Sequence, residues 1–185
     1  ILSRPLDFSK FSFIYAGVQK NLGPAGVVLV VAKKSMLEKS PEGLPTMLRY
    51  DTFYSKNSLY NTPPAFCIYM VGKTAKWIKS QGGLEVMAER NKKKAALVYG
   101  AIDNSNGFYT GHADKDSRSF MNVTFRLPTE ELEKKFAAEA LENGLAGTKG
   151  HRSVGGMRTS IYNAMPYEGC EKLADFMEKF RKANA

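Results

Sequence analysis

Lys20 is the residue whose type and setting most directly suggest covalent chemistry. It lies in a glycine-bounded segment, residues 16–26 (AGVQKNLGPAG), between two short apolar runs at 11–15 and 27–32. Each run is β-branched or aromatic and ends in turn residues, which predicts a pair of buried strands. A lysine beside packed strands is partly desolvated, and this frees its amine as a nucleophile for Schiff-base chemistry. From these residues alone, a solvated loop lysine is the alternative.

A second candidate site is the segment Asn61-Thr62-Pro63-Pro64, which precedes an apolar run from Ala65. This pattern predicts a helix from about 63 to 80, with Thr62 as N-cap and Pro63 at the first helical position. We expect its largely apolar first half to be buried. A helix N-terminus suits a phosphate group, although a plain N-cap explains the same residues.

A third candidate site is the glycine-rich segment 149–158, which gathers His151, Arg152 and Arg158. The planar fork of arginine binds carboxylate or phosphate through two hydrogen bonds, and glycines allow a ligand to approach the backbone. Alternation along a strand predicted at 157–162 places Arg158 on the face opposite Met157 and its apolar neighbours. A solvated basic hairpin is the alternative for any one of these residues.

Composition limits the function classes. The 185 residues are 43% hydrophobic and 24% charged, which is typical of a globular protein with a core. The net charge of +9 is spread along helical patterns, including the run at 92–94, so we interpret most of it as solvated surface. The two cysteines, Cys67 and Cys170, form no metal-binding spacing, which favours a reducing compartment. No signal-peptide or membrane-spanning pattern is present in these residues.

The remaining pattern predicts a mixed α/β chain in two parts. The first part, 1–103, continues with a short helix at 33–39, a short strand within 46–60 and a long helix from 84 that ends near Asp103. The second part, 104–185, begins at a loop-forming segment, 104–107. It is predicted to contain strands at 119–127, 145–148 and 157–162, with helices after the N-cap Thr129 and at 167–181.

Four segments together resemble the phosphoserine aminotransferases in order and spacing. They are residues 3–5 (SRP), 15–26 (YAGVQKNLGPAG), 60–64 (YNTPP) and 149–164 (KGHRSVGGMRTSIYNA). The resemblance is to the C-terminal half of these pyridoxal-phosphate enzymes and covers essentially the whole chain. It implies the C-terminal portion of the large cofactor-binding domain of a fold type I aminotransferase, with an interdomain helix, over 1–103. A small α/β C-terminal domain would follow over 104–185.

The resemblance also implies which residues hold the cofactor, pyridoxal 5'-phosphate. Lys20 would form the Schiff base and carry the proton, and Gln19 would contact the edge of the cofactor ring. Asn61 and Thr62 would reach the cofactor phosphate of the neighbouring subunit, so the site would be shared across a homodimer. No metal ion is implied.

The same resemblance assigns the substrate contacts. Arg158 would bind the α-carboxylate, while His151 and Arg152 would bind the phosphate. The reaction would exchange an amino group between L-glutamate and 3-phosphohydroxypyruvate, giving O-phospho-L-serine and 2-oxoglutarate in serine biosynthesis. The expected compartment is the cytoplasm, with organellar targeting of a longer form left open.

In this family, an aspartate on the pyridine nitrogen and an aromatic residue on the ring lie upstream of the part that this chain matches. We therefore expect the chain alone to be inactive and to need the N-terminal half as a partner. Two alternatives remain: a basic module that binds nucleic acid or an acidic partner, and a catalytically dead paralogue that serves as a dimerisation partner. No recognition-helix, aromatic-platform or zinc pattern supports nucleic-acid binding.

Overall fold

The two apolar runs that flank Lys20 form an antiparallel strand pair, as predicted. Their predicted burial is wrong: neither strand has a buried residue, and Val28 is 62% exposed. In the computed structural model, which describes all 185 residues, β1 spans Phe13–Gly17 and β2 spans Val28–Ala32. Ile14 lies opposite Val31 in the register. The strands belong to the first of two compact units, Ile1–Gly83 and Leu84–Ala185.

Three helices complete the first unit: α1 (Lys34–Leu37), α2 (Tyr50–Ser55) and α3 (Ala65–Ser80). The strand predicted within 46–60 is wrong, because a 3₁₀ turn at Thr46–Leu48 and α2 occupy this stretch. Pro45 precedes the 3₁₀ turn, and Asp51 in the first turn of α2 interacts favourably with the helix dipole.

Helix α3 begins two residues later than predicted. Pro64 occupies the N-cap position, its carbonyl accepts a hydrogen bond from the backbone N–H of Ile68 at 3.1 Å, and Thr62 caps nothing. The reason is the second proline: a residue before proline is pushed out of the helical region, so Pro63 cannot be the first helical residue. The predicted burial of its first half is also wrong, since Phe66 is 70% exposed.

The second unit contains a three-stranded antiparallel sheet in the order β3 (Thr110–Gly111), β4 (Asn122–Arg126), β5 (Met157–Ser160). Around it are α4 (Gly83–Asp103, from Leu84 onward in this unit), α5 (Glu130–Glu142) and α6 (Tyr167–Asn184). The strand predicted at 145–148 is wrong: the chain turns at Gly144 and Gly147, both at positive φ, and only a single bridge, Lys149 to Met157, follows.

The core of the second unit is a cluster of aromatic rings centred on Phe136, whose side chain is fully buried. Its ring lies 5.0 Å from Phe176, 5.1 Å from Phe180 and 5.8 Å from Phe125, centroid to centroid, in tilted edge-to-face arrangements. Such pairs stabilise beyond the area they bury. This core fixes β4 against α5 and α6, and β4 in turn positions β5.

The predicted α/β class is confirmed. The two compact units meet at Gly83 and Leu84, whereas the sequence placed a boundary at 103/104, because the buried face of α4 belongs to the core of the second unit. The assignment of the two parts to a large and a small domain stays a prediction. None of the helices combines the length and hydropathy that crossing a membrane requires.

Candidate functional site

The turn that carries Lys20 is closed by hydrogen bonds to a single carbonyl. Val18 O accepts from the backbone N–H of Leu22 at 3.2 Å and of Gly23 at 2.9 Å, while Val18 N–H donates to Val27 O at 3.1 Å. Within this closed turn the backbone of Lys20 has φ +91°, a region that side-chain-bearing residues rarely adopt. The turn therefore holds a lysine in a strained conformation, a feature that clusters at functional sites.

The side chain of Lys20 is exposed, so the predicted partial desolvation is wrong for this chain. The reason lies in the turn itself: Val18 and Leu22 occupy its inner positions, at 1% and 4% exposure. Lys20 lies between them and extends outward, and its amine makes no hydrogen bond or ion pair. The amine is thus free to react with a ligand.

The second half of the same turn packs on α3. A Cβ added to Gly26 would lie 3.3 Å from Cys67 Sγ, and one added to Gly23 would lie 3.4 Å from Val71 Cγ2. The Cys67 thiol also donates to Ala25 O at 3.4 Å. Close backbone approach at the glycines therefore fixes the lysine turn to the first and second turns of this helix.

Gln19 is exposed and folds back over β1, where a Cβ on Gly17 would lie 2.6 Å from Gln19 Oε1. Asn61 and Thr62 are exposed and precede α3, and the Asn61 amide donates to Thr62 O at 3.3 Å. The segment thus offers neutral donors beside the first helical turn, whose N–H groups have no intrahelical acceptor. Helix α3 joins this segment to the lysine turn.

His151 and Arg152 lie on an exposed turn at the tip of a hairpin between 148 and 157. The carbonyl of His151 accepts from the N–H groups of Val154 at 2.9 Å and Gly155 at 2.8 Å. Its ring Nδ1 lies 2.7 Å from Ser153 Oγ and accepts from Ser153 N–H at 3.3 Å. With Nδ1 as acceptor, a neutral ring carries its proton on Nε2, where it can donate to an anion.

Arg158 lies on β5, opposite Thr124 of β4. The predicted alternation is confirmed: Met157 and Thr159 are 2% and 4% exposed, while Arg158 is half-buried on the other face. Its Nε is buried without a hydrogen-bond partner, and none of the ion pairs includes it. A half-buried guanidinium with no anion in its own chain is suited to bind a ligand carboxylate.

A buried hydrogen-bond cluster that the sequence did not predict joins α4 to the segment that follows β5. Lys94, interpreted as solvated within the run at 92–94, is only 3% exposed, and its amine donates to Tyr162 O at 2.8 Å and Met165 O at 3.0 Å. The neighbouring Asn91 amide donates to Asn163 Oδ1 at 2.8 Å. Burial lowers the pKa of Lys94. Lys94 lies three residues after Asn91 and four before Val98, both buried on the same helix, and this helical spacing was the available signal.

The candidate residues fall into two groups. The first unit carries Gln19, Lys20, Asn61 and Thr62, linked through α3, and the second carries His151, Arg152 and Arg158 on one hairpin and the strand that leaves it. No group of three or more His, Cys, Asp or Glu side chains is placed to hold a metal ion.

Several known proteins of similar sequence and structure are named phosphoserine aminotransferases. The chain is 62% identical, over its full length, to a curated phosphoserine aminotransferase of Desulfatibacillum aliphaticivorans, of which it spans 51%. Among solved structures, it matches phosphoserine aminotransferase from Bacillus circulans subsp. alkalophilus with a TM-score of 0.96 and 58% identity, covering 100% of this chain and 51% of that one. It also matches a phosphoserine aminotransferase from Trichomonas vaginalis, described as bound to PLP, with a TM-score of 0.90 and 39% identity. That match covers 96% of this chain and 51% of the other.

The chain spans about half the length of the curated relatives it matches. These similarities confirm the predicted relationship to the phosphoserine aminotransferases and the fold expected from it. The family model described as aminotransferase class-V matches residues 1–173. The chain therefore belongs to the class-V aminotransferase family.

Proposed function

We propose that this chain is the C-terminal half of a phosphoserine aminotransferase that uses pyridoxal 5'-phosphate. The observation that carries the proposal is the 62% identity over all 185 residues to a protein of that name. In addition, Lys20, Arg152 and Arg158 form no ion pair within this chain, and His151 is exposed. The reaction is the exchange of an amino group between L-glutamate and 3-phosphohydroxypyruvate, which yields O-phospho-L-serine and 2-oxoglutarate.

The residues of the first unit fit the proposed cofactor. Of these candidate residues, only Lys20 has a side chain that can link covalently to an aldehyde, its amine is unpaired, and the strained turn fixes its backbone. Gln19 lies beside it as a donor to the ring edge. Asn61, Thr62 and the first turn of α3 offer neutral donors to phosphate oxygens. When bound, the cofactor supplies a ring that withdraws electrons from the substrate α-carbon.

The residues of the second unit fit an amino-acid substrate with a distal anion. Arg158 binds the α-carboxylate through its fork, and its buried Nε gains the partner it otherwise lacks. His151 donates from Nε2 to a phosphate oxygen, and Arg152 adds a charge-assisted contact. In the first unit, Lys20 Nζ is the proposed carrier of the proton that leaves the substrate α-carbon.

The proposal extends to assembly and setting. A homodimer is supported by the exposure of Asn61 and Thr62, which leaves their side chains open to a neighbouring subunit. The proposed pathway is serine biosynthesis, which follows from the product. The proposed compartment is the cytoplasm, supported by two free cysteine thiols.

The test is covalent capture. The chain is incubated with pyridoxal phosphate, reduced with borohydride, digested and mapped by mass spectrometry, with Lys20→Arg as the matched control. We expect a pyridoxyl adduct concentrated on Lys20, and its loss in the variant with no new preferred lysine. Adducts spread equally over the exposed lysines at 10, 33 and 34 would contradict the proposal. In parallel, full-length enzyme should transaminate phosphoserine, whereas the chain alone should not.

A further inference from the structure

One side chain from outside the hairpin, Arg126 at the end of β4, forms a hydrogen bond with the turn that carries His151 and Arg152. Its Nη2 donates to Val154 O at 2.6 Å, at the tip of the hairpin. Its Nη1 lies 3.2 Å and 3.3 Å from the two carboxylate oxygens of Glu133, in the first turns of α5. One guanidinium thus ties an exposed turn to a helix that is fixed in the core.

Two glycines make room for the Arg126 side chain, and a third, Gly150, lets the two sides of the hairpin approach each other. A Cβ on Gly155 would lie 3.1 Å from Arg126 Nη1, and one on Gly156 would lie 2.9 Å from Arg126 Cδ. Both glycines have positive φ, +76° and +68°. A Cβ on Gly150 would lie 2.6 Å from Gly156 O across the hairpin. The Arg126 side chain therefore packs directly against the backbone of Gly155 and Gly156.

Without Arg126, the tip would depend on local bonds alone. The turn from His151 to Val154 is exposed, and its hydrogen bonds beyond the base of the hairpin are made within residues 151–155. Such a turn samples several conformations, and a ligand that needs one of them loses affinity in proportion to its population. The base is held by Gly150 N–H to Gly156 O at 2.8 Å, which does not fix the tip.

We propose that Arg126, anchored by Glu133, is a positioning residue that pre-organises the phosphate-binding turn of His151 and Arg152 without itself touching the substrate. The inference rests on the proposed function, since it concerns recognition of the phosphate of phosphoserine. Pre-organisation acts on binding of the distal anion and leaves reaction at the α-carbon unaffected.

The test compares phosphoserine with L-serine as amino donors in the half-reaction of the full-length holoenzyme. For Arg126→Gln, the ratio of kcat/KM for phosphoserine to that for L-serine should fall about tenfold, the usual effect of losing one hydrogen bond of a charged group. General structural damage would lower both values and leave the ratio unchanged. The control Arg181→Gln removes a similar arginine–glutamate pair, with Glu178 in α6, and should keep the wild-type ratio.

A second variant separates positioning from charge. Arg126→Lys keeps the positive charge but cannot bond Glu133 and Val154 O together with a planar fork. We expect it to lower the ratio as Arg126→Gln does. Amide hydrogen exchange at Val154 and Gly155, measured without cofactor, should also quicken in both variants.

The outcomes distinguish the two proposals. Wild-type enzyme that does not use phosphoserine overturns the proposed function and this inference with it. Wild-type enzyme that uses phosphoserine, with an unchanged ratio in Arg126→Gln, overturns this inference alone. A wild-type ratio in Arg126→Lys shows that only the charge matters and overturns the positioning role.

Discussion

Replacing Lys94 by methionine should destabilise the second unit and leave its fold unchanged. The ammonium group donates to Tyr162 O at 2.8 Å, Met165 O at 3.0 Å and, more weakly, Asn163 O at 3.4 Å. Two good hydrogen bonds from a charged donor contribute about 1.5–3 kcal/mol each, and part of this offsets the cost of burying the charge. We expect the variant to lose about 3 kcal/mol of unfolding free energy.

The measurement is amide hydrogen exchange in β4 and β5, which reports the second unit separately from Ile1–Gly83. Lys93→Met is the matched control, because Lys93 is exposed on the same helix and its loss should change stability by less than about 0.5 kcal/mol. Equal protection in the two variants would refute the reasoning and would mean that the cost of burying the ammonium cancels its bonds.

The same variant tests the sign of a pH dependence. Burial lowers the pKa of Lys94 below its ordinary value of 10.5, so the folded state binds the proton less tightly than the unfolded state. The Lys94 contribution to unfolding free energy therefore rises with pH between the folded pKa and 10.5. Wild type should show this rise relative to Lys94→Met; a difference that falls or stays flat would contradict it.

Three other substitutions test further features of the structure, each with its own measurement. Lys20→Gly removes the strain of the positive φ, so the free energy of opening measured by hydrogen exchange in β1 and β2 should rise by about 1 kcal/mol. The variant should also lose covalent capture of the cofactor. Faster exchange in β1 and β2 would show that the turn is not strained. Phe136→Ala empties the centre of the aromatic cluster and should cost the second unit about 3–5 kcal/mol, against less than about 0.5 kcal/mol for the exposed Leu141→Ala. Hydrogen bonds from Arg181 lower the pKa of Glu178 to about 2, so the pair contributes stability above the ordinary value of 4.5 that is lost as pH falls through about 2. An NMR titration of the Glu178 carboxyl should show that midpoint, and Arg181→Gln should return it toward 4.5.

The sequence predicted elements whose signals are local. The strands around Lys20, the capping of α5 by Thr129 and the alternation at Arg158 each depend on neighbours within a few residues. Thr129 Oγ accepts from Leu132 N–H at 3.2 Å, as a threonine before a helical pattern with acidic first-turn residues indicates.

The wrong predictions concern residues whose structure is determined by a neighbouring proline or by residues distant in the chain. Helix α3 starts late because Pro64 restricts the backbone of Pro63, although the same two prolines are typical of a helix start. Burial at Lys94 depends on carbonyls about seventy residues away in the chain, and burial of Lys20 was inferred from strands whose faces are not covered here. The role of Arg126 depends on its hydrogen bond to Val154 O, a contact between residues 28 apart that no periodicity in the sequence indicates.

The proposed phosphate-binding role of the hairpin implies limits on how specificity can be altered by mutagenesis, because Gly150, Gly155 and Gly156 pack against backbone or against Arg126. Any side chain at position 150 would meet backbone atoms of Gly155 and Gly156, which cannot move aside as a flexible side chain would. Substitution libraries aimed at other distal groups on the substrate should therefore leave the three glycines unchanged. Substitutions are better placed at the exposed positions from His151 to Val154, where a new side chain meets solvent. The hydrogen bond from Arg126 is to the backbone carbonyl of Val154, so it persists as long as the conformation of the turn is unchanged.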